Sequence, residues 1–92
     1  MKAAAKFVVK GTVQGIFFRK FAKEKADELS LKGHVRNLAN GDVEVLVEGD
    51  SDNINRMESL LNEGPQYSQV RSVERSEQKW SGDFSEFKVI RF

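Results

Sequence analysis

The chain has 92 residues, of which 39% are hydrophobic and 32% charged, and its formal net charge is +1. This length and mixture predict one globular domain over residues 1–92 and exclude a disordered chain. The near balance of charge differs from the strong basic excess of a dedicated nucleic-acid-binding protein.

The chain has no cysteine and a single histidine, His34. The lack of cysteine excludes disulfides, thiolate nucleophiles and Cys-ligated metals, and it favours a reducing compartment. A catalytic triad or a multi-histidine metal site would depend on His34 alone. There is no apolar run long enough for a signal peptide or a membrane span. We therefore expect a cytoplasmic protein with no metal, no cofactor and no membrane contact.

The first predicted elements are a strand, a glycine-bracketed loop and a helix. Phe7-Val8-Val9 predicts a strand that ends at Gly11, and Gly15 closes the loop that follows. Apolar residues then recur at helical spacing, with charged residues between them. The apolar positions are Phe18, Phe21, Ala22, Ala26 and Leu29. Gly33 fits the position just after the end of this helix.

A hairpin and a second helix are predicted next. Residues 34–39 and 42–48 flank Asn40-Gly41, a pair typical of a type I′ turn in which both positions have φ > 0. Residues 49–52 offer caps for a helix that Gly64-Pro65 ends. Its apolar stripe is Ile54, Met57, Leu60 and Leu61.

The last third predicts two more strands. Val70–Arg75 is strand-like and extends toward Trp80, Ser81–Asp83 is a turn, and residues 87–92 form a closing strand. The order β-α-β-β-α-β-β predicts an α+β, ferredoxin-like βαββαβ sandwich with an extra C-terminal strand. Two helices would cover one face of a mostly antiparallel sheet, and the other face would meet water.

The strongest candidate site is the loop Gly11-Thr12-Val13-Gln14-Gly15-Ile16, followed by Arg19 in the first turn of the helix. A strand-to-helix junction presents free backbone N–H groups and the positive end of the helix dipole, so it favours an anion. Arginine adds a planar fork that matches phosphate oxygens. Ordinary turn glycines and a solvated arginine are the alternative. The Gly-Lys-Ser/Thr ending of a Walker A loop is missing.

Asn37 is the second candidate, because it shares a strand face with the apolar Val35. A carboxamide can accept a hydrogen bond from a water molecule and donate one to an oxyanion. The alternative is an amide that pairs with backbone near the hairpin or meets solvent.

Both candidates fall within motifs that resemble those of the acylphosphatase family. Residues 9–19, VKGTVQGIFFR, resemble its first signature; residues 33–37, GHVRN, followed by Gly41, Val43 and Gly49, resemble its second. The likeness extends over the whole chain in length, element order and the apolar-aromatic ending. Two departures are Ile16, where valine is commoner, and His34, where a large aromatic is usual. We interpret His34 as a surface or edge-packing residue.

The resemblance implies a hydrolase that cleaves acyl phosphates to a carboxylate and inorganic phosphate, which would also inhibit. It implies that the amides of Gly11–Ile16 and Arg19 hold the phosphoryl group and that Asn37 holds the attacking water. It also implies no metal, no phosphoenzyme and a monomer. This agrees with the chemistry, because a good leaving group needs positioning and charge stabilisation more than a strong acid.

Two further interpretations accompany this one. Phe17, Phe18 and Phe21 are expected in the core, although Phe17 could line the pocket. Lys10 and Arg36 either steer an anionic substrate or are simply solvated.

Non-catalytic modules are the rival class of function. An RNA-binding sheet needs aromatic residues on a central strand, and residues 42–48 are acidic and have none. An acylphosphatase-like anion-binding module, as in a hydrogenase-maturation protein, stays the alternative to the stand-alone enzyme that we expect.

Overall fold

The computed structural model describes residues 1–91, and Phe92, predicted to end the closing strand, lies outside them. Seven elements follow one another in the predicted order. They are β1 (Lys2–Thr12), α1 (Ile16–Glu28), β2 (Lys32–Asn37), β3 (Val43–Asp50), α2 (Ser51–Glu63), β4 (Gln69–Gln78) and β5 (Phe87–Ile90). Neither helix is long and apolar enough to cross a membrane.

The five strands form one sheet in the order β4-β1-β3-β2-β5. The pairs β1–β3, β1–β4 and β2–β3 are antiparallel, and β2–β5 is parallel. This arrangement confirms the predicted ferredoxin-like α+β fold with an extra strand.

The hydrophobic core lies between the sheet and the two helices, which pack on the same face. Helix α1 contacts β2 and β5, whereas α2 contacts β1, β3 and β4. Alternate residues of the strands supply one side of the core, as the pleat requires. The fully buried side chains include Phe7, Val9, Phe18, Val35, Val43, Val45, Val47, Ile54, Met57 and Leu61.

The opposite face is partly covered, which corrects the expectation that it would meet water. Strands β4 and β5 lie at opposite edges of the sheet, so residues 79–86 cross this face instead of making the predicted turn at Ser81–Asp83. Glu48, only 6% exposed, fixes the crossing by accepting hydrogen bonds from the backbone N–H and Oγ of Ser81 and from the N–H of Gly82.

The end of α1 differs from the prediction. Gly33 does not end the helix; it lies within β2, where a Cβ would come 1.9 Å from the carbonyl oxygen of Leu46. The helix ends at Glu28; Ser30, two residues later, adopts φ = 57°, and the N–H of Leu31 donates to the carbonyl of Ala26 at 2.8 Å. This is the hydrogen bond of a Schellman motif, with serine in the place that glycine usually takes.

The β2–β3 hairpin forms at the predicted place, but the type I′ turn is wrong. A type I′ turn needs positive φ at both Asn40 and Gly41. Gly41 has φ = 99°, but Asn40 is not among the residues of 1–91 with positive φ. The N–H of Gly41 donates to the carbonyl of Leu38, and the N–H of Leu38 to the carbonyl of Asp42. These bonds define a three-residue loop with glycine last.

Candidate active site

The loop between β1 and α1 is shaped by close packing at its start. Gly11 follows a register shift between β1 and β4, and a Cβ at Gly11 would lie 2.1 Å from the carbonyl oxygen of Gln69. Val13, 1% exposed, anchors the middle of the loop in the core. Packing against β4 and the core therefore holds the start and the middle of the loop.

The first turn of α1 is left without a protein acceptor. Gly15 is the N-cap, with φ = 114°, and it makes no side-chain capping bond. The first turn contains no acidic residue. Since the first N–H groups of a helix have no partner inside the helix, they and the positive dipole end face the loop. The arrangement suits an anion such as a phosphoryl group.

Arg19 lies one helical turn after Gly15 and is half-buried. Its Nε donates to the carbonyl of Gly15 at 3.3 Å, and its Nη1 donates to the carbonyl of Ile90 at 3.1 Å. These bonds use two of the five N–H donors of the guanidinium and fix its plane. Within residues 1–91, no ion pair joins Arg19 to a carboxylate. No carboxylate of the described residues therefore neutralises its charge.

Asn37 is the last residue of β2 and pairs with Val43. Its side chain lies on the helix-covered face, since Val35 and Val43 are core residues. The Oδ1 atom is buried, and no hydrogen-bond donor of the described chain reaches it. An unpaired buried acceptor is costly, so its presence points to a partner outside the chain.

Two contacts bring the loop, Arg19 and Asn37 together. The Nε2 of Gln14 donates to the carbonyl of Leu38, next to Asn37, at 2.8 Å. On the other side, Ile90, which accepts from Arg19, pairs with Arg36 in the parallel β2–β5 ladder. Asn37 is therefore bracketed by the residues that hold the loop and the guanidinium.

The other predicted cations are paired with carboxylates. The Nζ of Lys10 lies 3.7 Å from a carboxylate oxygen of Asp42 and 3.8 Å from one of Glu74. The Nε of Arg36 lies 2.9 Å from Oε2 of Glu44. Much of their charge is neutralised locally, which weakens the expectation that they steer a substrate.

His34 lies on the face of β2 opposite Asn37, as two residues an odd number apart must. Its Nε2 lies 2.9 Å from Oε2 of Glu44, and its ring meets Phe84 edge-on. Burial raises the pKa of Glu44, but hydrogen bonds from Arg36 and His34 outweigh it and leave the pKa below its ordinary value. His34 therefore packs against Glu44 and Phe84 on the face of the sheet away from Asn37.

The aromatic residues of α1 divide between core and surface. Phe18 is 1% exposed, as predicted, but Phe17 is 80% exposed and Phe21 is half-buried outside the core cluster, so the prediction of these two as core residues is wrong. Helical geometry explains the difference, because neighbouring residues point about 100° apart. Two supports of the site were not predicted, the carbonyl of Ile90 and the side-chain amide of Gln14. A backbone carbonyl carries no sequence signal, and β5 is brought to β2 by long-range pairing.

Fold and site together define a ferredoxin-like α+β sandwich in which a strand–loop–helix junction leaves the N-terminus of α1 without a side-chain cap. The acylphosphatase family model matches residues 5–89. An acylphosphatase from Alkalilimnicola ehrlichii is 47% identical over 76 residues, which cover 83% of this chain and 85% of the relative. The solved structure of an acylphosphatase from Coxiella burnetii is 39% identical, with a TM-score of 0.91 over 97% of this chain and 93% of that one.

A larger protein also contains this fold. The structure of HypF from T. kodakarensis is 30% identical, with a TM-score of 0.82; the match covers 98% of this chain but 12% of HypF. The family match and the curated relative cover most of the chain, so the chain belongs to the acylphosphatase family of hydrolases.

Proposed function

We propose that residues 1–92 act as one catalytic domain that hydrolyses acyl phosphates at the junction of β1, α1 and β2. The backbone amides of Gly11–Ile16 and the guanidinium of Arg19 hold the phosphoryl group, and Asn37 orients the attacking water. The observation that carries the proposal is the buried, unpartnered Oδ1 of Asn37, bracketed by the contacts of Gln14 and Arg19.

The reaction needs little from the protein besides positioning and charge stabilisation. The water oxygen forms a bond to phosphorus, the bond between phosphorus and the acyl oxygen breaks, and its electron pair leaves on the carboxylate. One proton of the water moves to a phosphate oxygen, so the products are a carboxylate and dihydrogen phosphate. Charge spreads over the equatorial phosphoryl oxygens, where the free amides of α1 and Arg19 stabilise it.

Asn37 is a positioning group in this scheme and not a base. Its Oδ1 accepts a hydrogen bond from the water, which fixes the water oxygen toward phosphorus. A neutral amide cannot take the proton, and the substrate phosphate can. A pH–rate profile that depended on one essential Asp or Glu of this chain would contradict the transfer of the proton to substrate.

The rival function is an anion-binding module without turnover. It is favoured by the presence of the same fold as a small part of the much larger HypF. The anion site would then be occupied by a phosphate-bearing ligand that is not cleaved.

The test is hydrolysis of benzoyl phosphate by the EDTA-treated protein in water enriched in oxygen-18. We expect turnover, with the label in inorganic phosphate and not in benzoate, because water attacks phosphorus. Label in benzoate would contradict the assigned roles, since attack would be at the carbonyl carbon. A folded, inactive protein that still binds phosphate would support the anion-binding module.

A further inference from the structure

A groove of about 560 Å³ opens beside the loop, between the first turns of α1 and the connection from α2 to β4. We call it the acyl groove. Thr12 and Gln14 of the loop line it at one end. Its aromatic and apolar lining is Phe17, Phe18, Phe21, Pro65 and Tyr67. The groove therefore borders the loop to which we assign the phosphate.

Two aromatic side chains in this lining are exposed to an unusual degree. Phe17 is 80% exposed and Tyr67 is 93% exposed. Tyr67 has φ = 71°, a strained conformation for a non-glycine residue, in a turn where the N–H of Ser68 donates to the carbonyl of Pro65. Exposed aromatic surface next to a substrate site is what an apolar ligand group would cover.

The acyl groove and Asn37 lie toward different edges of the sheet, and Gln14 of the loop both lines the groove and contacts the carbonyl of Leu38, next to Asn37. Asn37 is on β2 and Arg19 reaches β5, the strands that α1 covers. The groove borders residues 65–68, which lead from α2 into β4 at the other edge of the sheet. In phosphoryl transfer the attacking and leaving oxygens lie roughly in line. In-line attack by water held at Asn37 on the β2 side is compatible with a carboxylate that leaves toward the groove on the β4 side.

We propose that the acyl groove binds the acyl group of the substrate and that Phe17 and Tyr67 make the enzyme prefer aromatic acyl phosphates to small aliphatic ones. This inference rests on the proposed hydrolysis. The charged residues of the lining, Lys20 and Glu24, have opposite signs, so the groove suits an uncharged acyl group. A phenyl ring there would stack on aromatic side chains and lose contact with water.

The experiment compares kcat/KM for benzoyl phosphate with kcat/KM for acetyl phosphate. Both substrates present the same phosphoryl group, so their ratio isolates the acyl group. We expect Phe17→Ala and Tyr67→Ala each to lower the ratio by about fivefold to tenfold, since each removes one wall of an open apolar site. The matched control is Trp80→Ala, an exposed aromatic residue outside the groove, which should leave the ratio unchanged.

The outcomes separate this inference from the function on which it rests. An active parent whose ratio is unchanged in both variants would overturn the acyl groove and leave the hydrolase intact. A parent that hydrolyses neither substrate would overturn the proposed function itself. A ratio that falls equally in Trp80→Ala would also contradict the groove, because the effect would not be local.

Discussion

The two helices have the same length, 13 residues, and pack on the same face of the sheet, but their N-termini differ. Helix α2 is capped by Asp50, which accepts from the N–H of Asp52, and Asp52 adds a second carboxylate to its first turn. The N-terminal ammonium of Met1 also lies 2.8 Å from Asp50. Helix α1 begins at a glycine with no side-chain cap and no acidic residue.

This difference separates a helix end that the chain itself completes from one that we propose a ligand completes. The dipole of each N-terminus attracts negative charge. In α2 the chain supplies that charge, so the end contributes to stability and has little affinity left for an anion. At the N-terminus of α1, residues 1–91 supply a cation, Arg19, and a buried acceptor, Asn37, but no carboxylate. The uncapped N–H groups of α1 and the unpartnered Oδ1 of Asn37 lack hydrogen-bond partners in the same region. This is what we expect of a site where the substrate supplies the partners.

The largest expected effect is that of Arg19→Ala. Removing the guanidinium takes away the cation that stabilises the developing phosphoryl charge, so we expect kcat/KM for benzoyl phosphate to fall by about 10³-fold. The control is Arg56→Ala, an exposed arginine of α2. If Arg19→Ala kept an activity within a few-fold of the parent, the proposal that the N-terminus of α1 holds the phosphoryl group would be wrong.

Asn37→Ala should act on turnover more than on binding. We expect kcat to fall by about 10²-fold, because the attacking water is no longer positioned. We expect no loss of stability, because the substitution removes an unpaired buried acceptor. Asn53→Ala is the matched control. Its amide donates to the carbonyl of Leu29 at 3.1 Å, so it should lose about 1 kcal/mol of stability and keep its kcat. Steady-state kinetics measure kcat and urea unfolding measures stability. A variant Asn37→Ala that loses stability and keeps its kcat would refute the role of Asn37 in positioning water.

Gly15→Ala tests whether the backbone geometry at the uncapped N-terminus of α1 matters. A Cβ would meet no atom within 4 Å, but φ = 114° strains any other residue. Gly41, with φ = 99° and equally open space, is the matched control. Both substitutions should cost about 1 kcal/mol of stability. Only Gly15→Ala should also lower kcat/KM, by about tenfold, because the backbone amides of Gly11–Ile16 would shift. Equal activity in the two variants would show that the loop geometry is not used.

The smallest effect concerns the capped end of α2. The hydrogen bond from the N-terminal ammonium lowers the pKa of Asp50 most, burial opposes this, and hydrogen bonds from Asp52 and Asn53 lower the pKa further. A carboxyl whose folded pKa is below its unfolded value, about 3.9, stabilises the fold above that pH and loses the effect as pH falls. Asp50→Asn should thus be less stable than the parent at pH 6, with a smaller difference at pH 3.

The same variant sharpens the comparison of the two ends, because its kcat at pH 6 should be unchanged. Urea midpoints at both pH values and one kinetic assay suffice. A stability difference that is the same at both pH values would show that the charge of Asp50 does not contribute.

The fold followed closely from the sequence because its main signals are local. Helical spacing from Phe18 to Leu29 and the alternating valines of residues 43–47 fix α1 and β3 by period alone. Errors arose where tertiary packing decided the outcome. Gly33 serves the close approach of β2 to Leu46, and residues 79–86 cross the sheet because β4 and β5 pair at opposite edges.

The candidate site was predictable to a different degree. Its loop, Arg19 and Asn37 were named from residue chemistry and resemblance, and the structure places them at one end of the sheet. What holds them there was not predictable, since the carbonyls of Leu38 and Ile90 have no sequence signature. The exposure of Phe17 was missed because an aromatic residue between apolar neighbours ordinarily indicates core.

The most direct test of the central claim is calorimetric titration of inorganic phosphate into the parent, Arg19→Ala and Asn37→Ala proteins, with Arg56→Ala as control. If the open end of α1 is the phosphate site, the parent, Asn37→Ala and Arg56→Ala bind phosphate with dissociation constants within a few-fold of one another. Arg19→Ala then shows no measurable binding. Phosphate binding that Arg19→Ala retains, or that Arg56→Ala loses equally, would contradict the account.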